Sequence, residues 1–129
     1  MAIGYGVFDV PCKAENDLST KQFYAVELSG ADRQVDVPDN AGDTVFGVLQ
    51  DKPGAGREAC VRVLGITKWV SDGNAAAIVA GDVLGTNNAG KCIKKTTNND
   101  KLAGIALSAS TADGTIIDVL LTPGVYLGA

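Results

Sequence analysis

The side chains able to do chemistry in this chain are carboxylates, hydroxyls and three thiols. The sequence holds no histidine. That removes the usual general base near neutral pH, the familiar Ser and Cys triads, and every His-based metal site. Cys12, Cys60 and Cys92 form no CxxC pair, so the spacing fits neither a zinc knuckle nor a dithiol redox centre. Cys60 and Cys92 alternate with apolar neighbours and read as small core residues. Ser19, Thr20, Ser108, Ser110 and Thr111 fall in polar stretches without an SxxK or a histidine. A hydroxyl without an activating base is a poor nucleophile.

The acidic residues Asp36, Asp39, Asp43, Asp82, Asp100 and Asp113 lie mostly in turn-like stretches. There an aspartate usually accepts backbone hydrogen bonds of a turn. DNAGD lacks the later spacing and the terminal Glu of an EF-hand. Gly54 and Gly56 in DKPGAGREAC carry no phosphate-loop pattern and read as a hairpin loop. No catalytic residue, cofactor or metal is expected. Trp69, the only tryptophan, has two readings: a core residue, or an anchor at an interface, where Trp is enriched.

These residues are carried by 129 residues, 46% hydrophobic and 20% charged. Such a chain folds as one domain and buries roughly two-thirds of its unfolded surface. Eleven Lys and Arg against fifteen Asp and Glu leave a net charge of −4. An acidic chain lacks the basic footprint of a nucleic-acid binder, and the pair Lys94-Lys95 does not supply one. No apolar stretch approaches the roughly 18 residues of a membrane-spanning helix. The opening MAIGYGVFDV has no basic region followed by a long apolar run, so no export signal is expected. With an odd cysteine count, reduced thiols and synthesis in a cytoplasm follow.

Sixteen glycines and 5% aromatics favour short strands and many turns. From Phe23 onward, runs such as FYAVEL, TVFGVL, ACVRVL, ITKWV and TIIDVLL alternate between turns rich in Gly, Asp, Asn and Pro. This is the pattern of an all-β fold, a small β-barrel or sandwich of short antiparallel strands. One short helical turn is expected over residues 75–80, after Asp72-Gly73-Asn74 as a cap. A shift of 57 residues lays Val26 on Val83, Val35 on Cys92, Asp43 on Asp100 and Gly47 on Gly104. This internal pseudo-repeat, with ITKWV between its halves, suits a closed barrel whose halves cannot bury their apolar faces alone.

Residues 1–22 read as an extended N-terminal arm, and residues 23–129 as a single β-rich domain. Ile3, Tyr5 and Val7 alternate with glycines, and Phe8 and Val10 follow. Two placements are open for this arm. It is either the first strand of the protein's own sheet, or a segment that docks on a partner.

The segment GVLQDKPGAGREACVRVLGITKWVSDGNAAAIVAGDVLG, with the closing KLAGIALSASTADGTIIDVLL, resembles the tailed-phage capsid decoration, or head cement, proteins. The shared pattern is a GV hairpin, an apolar strand and glycine, a small-residue turn, then GD before another strand. The resemblance runs over about residues 23–121. It implies a β-rich structural protein without catalytic activity, bound as a homotrimer to the outer surface of the virion's capsid. It also implies the major capsid protein as partner and stabilisation of the expanded shell. Such proteins often carry an arm that contacts the shell, which maps onto Ile3, Tyr5, Val7, Phe8 and Val10.

An arm with apolar alternation can add a strand to an exposed sheet edge. Two other roles fit the composition less fully. One is another assembly part, such as a tail-tube or head–tail connector subunit. The other is a small ligand-binding β-barrel.

Overall fold

A computed structural model describes residues 6–74, 76–97 and 100–126, with side chains up to residue 122. Nine strands run in chain order: β1 (Phe8–Ala14), β2 (Ala25–Leu28), β3 (Gln34–Asp36), β4 (Gly47–Leu49), β5 (Glu58–Asp72), β6 (Val83–Thr86), β7 (Cys92–Lys94), β8 (Lys101–Ala106) and β9 (Asp113–Tyr126). The all-β expectation holds, but the described residues contain no helical turn within 75–80. Ile78 instead bridges to Ser110, each donating its N–H to the other's carbonyl at 2.8 and 2.9 Å. A single turn cannot recover its nucleation cost, whereas Ile78 gains complete burial by lying across the second core.

The pairings close two five-stranded rings. The first is β1-β3-β2-β4-β5, closed by β1 against β5. The second is β5-β7-β6-β8-β9, closed by β5 against β9. The long β5 serves both, its residues up to Leu64 in the first ring and those from Gly65 in the second. Closure leaves no edge between neighbours in either ring.

The pseudo-repeat is visible in the register. Val48 faces Arg62 and Leu49 faces Val61, as Ile105 faces Leu120 and Ala106 faces Val119. The parallel contact of Ala14 with Val35 recurs 57 residues on as Ser71 with Cys92. Gly47 and Gly104 are also equivalent. A Cβ on either would stand 2.6 Å from a valine methyl, of Val61 or of Val119, and against a backbone carbonyl of the same strand.

By the same shift, β1 is the counterpart of the second half of β5. Cys12 faces Ala59 as Trp69 faces Ile117, and Val10 faces Val61 as Thr67 faces Val119. The described part of the N-terminal segment is therefore not a separate arm. Residues 8–14 complete the first ring, and Leu18 is buried with its N–H on the Pro53 carbonyl at 2.9 Å. Pro11 is tolerated within β1 because β3 joins that strand only from Lys13 onward. The Lys13 N–H points to the β3 side, at Arg33, and two residues earlier a missing donor on that side goes unnoticed.

Each ring encloses its own core. Cys12, Ala14, Leu18, Val26, Val35, Leu49, Ala59 and Val61 fill the first. Trp69, Ile78, Leu84, Cys92, Ile117 and Val119 dominate the second. Trp69 is 0% exposed and its indole N–H donates to the Gly90 carbonyl at 2.9 Å. It offers no surface to a partner, which corrects its reading as an interface anchor. An inward position on β5, opposite Ile117, forces the ring into the barrel. Burial pushes the Cys92 thiol up to about 12, as expected of a core cysteine.

Candidate functional site

Four outward apolar side chains, Val7, Phe8, Leu28 and Leu64, lie at one end of the first ring, while Val79, Leu107, Ile116 and Leu120 are exposed elsewhere. On β5 the odd-numbered residues point inward through both rings, so Leu64 and Ile66 face out, 51% and 38% exposed. Phe8 opens β1 opposite Leu64 and is 59% exposed. Leu28 ends β2 at 53%. Between them lies a groove of about 600 Å³ lined by Phe8, Leu28, Val45, Phe46 and Leu64, with Glu27 on its wall. Val7, also exposed, is carried beyond the groove over Gly65, its Cα 3.0 Å from where a Gly65 Cβ would stand.

The entry of β1 is pinned here by charge. Asp9 faces Arg62 across the ladder, and the guanidinium donates to both carboxylate oxygens at 2.8 and 3.1 Å. Arg62 also reaches the Ile66 carbonyl at 3.1 Å. The fork geometry makes this one of the stronger surface pairs. The hydrogen bond from Arg62 holds the Asp9 carboxyl below its ordinary value.

The opposite rim is acidic. Carboxylate oxygens of Glu27, Asp39 and Asp43 lie within 4.8 Å of one another, and Asp36 stands directly opposite Glu27 in the ladder. Burial, a hydrogen bond with Asp43 and the charges of Asp43, Asp39 and Asp36 raise Glu27 to about 7. The folded state thus binds a proton that the unfolded chain releases near 4.5. Glu27 stabilises the fold fully below about 4.5 and loses that contribution as pH rises to about 7. Asp9 runs the other way, stabilising above its ordinary value near 3.8 and losing that contribution as pH falls below it. Thermal melting of the wild type should weaken between pH 4.5 and 7 relative to Glu27→Gln, which removes the titration. Identical pH profiles for the two proteins would refute this assignment.

Of the residues singled out in the sequence, the structure brings Val7 and Phe8 to this end as exposed side chains. Val10 is half-buried and packs against the first core. Ile3 and Tyr5 lie outside the described residues. Leu28, Phe46 and Leu64 were not singled out. Leu64 has a sequence signal in the run Val63-Leu64-Gly65-Ile66, where apolar residues occupy both faces of one strand.

The model of the phage cement protein family matches residues 2–121. The chain belongs to that family. Among solved structures, the crystal structure of the head fiber gp8.5 N base in bacteriophage phi29 is similar, with a TM-score of 0.69 at 13% sequence identity. The match covers 91% of this chain and 95% of that one, and at such identity it speaks for the fold. No curated protein matches the chain. As a member of that family the chain is a structural protein of the virion that associates with a phage capsid. Its double-ringed fold is shared with a head protein of another phage.

Proposed function

We propose that this cement protein decorates the outer surface of a phage head, binds its major capsid protein and stabilises the expanded shell, as a trimer on the lattice. Membership of the cement family over residues 2–121 carries the reading. The exposed apolar end bearing Val7, Phe8, Leu28 and Leu64 supports it, because clustered outward apolar side chains mark interaction surfaces. The shell-contacting set is Val7 and Phe8, with Ile3 and Tyr5 ahead of them. Val10 serves by anchoring the start of β1 in the first core.

The physical logic is linkage. A subunit that binds the expanded lattice better than the unexpanded one stabilises the expanded form by its binding free energy, summed over many copies. Weak individual contacts therefore suffice. The test is co-sedimentation with empty heads of the cognate phage before and after expansion, with the rupture temperature of decorated and bare heads read in parallel. Saturable binding to expanded heads and a raised rupture temperature are expected. A chain lacking residues 1–7 leaves all of β1 in place and should bind more weakly. Absence of binding to either head form would overturn the reading.

A further inference from the structure

One difference in strand pairing between the two rings defines what the groove accepts. In the second ring β8 begins at Lys101, and β9 runs on so that Val125 faces Leu102 and Tyr126 faces Lys101. The equivalents of Lys101 and Leu102 in the first ring, 57 residues earlier, are Thr44 and Val45. There β4 starts only at Gly47, because β5 turns away into the second ring at Gly65, whose φ is +97°. No strand of the described residues lies beside Thr44 and Val45 as β9 lies beside Lys101 and Leu102. Among the described residues, neither Thr44 nor Val45 has a backbone hydrogen-bond partner. The vacant strand position borders the apolar groove, which Val45 and Phe46 help to line.

We propose that an extended segment of the shell subunit adds as a strand beside residues 44–46, with an apolar side chain in the groove and a Lys or Arg against Glu27 and Asp43. This rests on the decoration reading above and names the chemistry of its contact. Strand addition supplies main-chain hydrogen bonds, and alternate side chains fill the adjoining pocket. The charge follows from the rim. Glu27, Asp39 and Asp43 crowd three carboxyls together, and a cation placed there relieves their repulsion. A second copy of this chain, itself at −4, brings the wrong sign, which favours a basic partner segment.

The experiment measures affinity for expanded heads of the cognate phage at low and high salt. The proteins are the wild type, Leu28→Ser with Leu64→Ser, Glu27→Gln with Asp43→Asn, and Val79→Ser as a control. Leu28, Leu64 and Val79 are all more than half exposed, and Val79 lies outside the groove lining, so these changes leave the cores intact. Melting curves confirm folding. The double-serine protein should bind about tenfold more weakly or worse, since an anchor side chain in a pocket carries much of an interface's affinity. The amide variant should bind more weakly with a flatter salt dependence, and V79S should match the wild type. Hydrogen exchange of Thr44 and Val45 should slow on heads, where an added strand protects amides that are free now, whereas the Phe46 N–H already donates to the Val26 carbonyl at 2.9 Å.

Equal binding by wild type and double-serine protein would overturn the groove while leaving decoration intact. Failure of the wild type to bind would overturn both. Wild-type self-association lost in the double-serine protein would show a second copy in the groove, against the proposal. Faster exchange of Thr44 and Val45 in unbound protein lacking residues 1–5 would assign the groove to the chain's own N-terminus, again against it.

Discussion

Replacing Gly65 by alanine is expected to remove about 2–5 kcal/mol of stability and to loosen both rings together. A side chain at a φ of +97° strains the backbone, by about 1–2 kcal/mol for the left-handed region. The added methyl also runs into the Gly6 carbonyl and approaches Val7 to 3.0 Å, and such crowding costs about 1–3 kcal/mol. Urea unfolding checks the size, and amide exchange checks the spread. Protection should fall along β1 and β9 alike, since both pair with β5 next to this residue. A loss under about 1 kcal/mol, or one confined to a single ring, would show that β5 does not pivot rigidly at Gly65.

Trp69→Ala should be costlier, about 3–5 kcal/mol, the range for emptying a large aromatic site in a core. The residue is wholly buried opposite Ile117. Its loss also removes one of two hydrogen bonds to the Gly90 carbonyl, which keeps the Ala25 N–H at 2.8 Å, so about 1 kcal/mol at most is added by that bond. Against a total of about 5–15 kcal/mol for a domain, the variant should melt far lower or fail to fold. Trp69→Phe keeps most of the volume and lacks the donor. It should recover much of the stability, and equal losses for the two variants would assign the cost to the hydrogen bond.

The repeat was legible in the sequence where the two halves solve the same problem with the same residue types. Gly47 and Gly104 both let a strand approach a valine closely, so both stayed glycine. It was illegible between β1 and the second half of β5, which hold the same place in the two rings. Cys12 stands where Trp69 stands, and Asp9 where Ile66 stands.

The reason is volume and charge. The large indole fills much of the second core, whereas the first is filled from elsewhere by Leu18, with Phe46 and Val63 packed against it. Asp9 serves an ion pair with Arg62 that has no counterpart at Ile66, which faces Leu120. With Pro11 beside it, β1 therefore reads as an arm rather than as a wall of a barrel. The groove was hidden for a related reason. It arises from a strand that is missing relative to the other half, and no residue type records that.

The sharing of β5 also sets the order in which the chain can fold as it is made. β1 emerges first but its main partner lies about fifty residues later, at Ala59 to Leu64. Until β5 has been synthesised, β1, β2, β3 and β4 have no strand to close on, and their apolar faces stay open to solvent. Non-local pairing of this kind folds slowly and leaves unfinished intermediates prone to association. Once β5 is present the first ring can close, and the second must then await β9. The nascent chain thus passes two checkpoints set by one strand, and mutations in β5 should slow folding more than equally destabilising ones in β3 or β7.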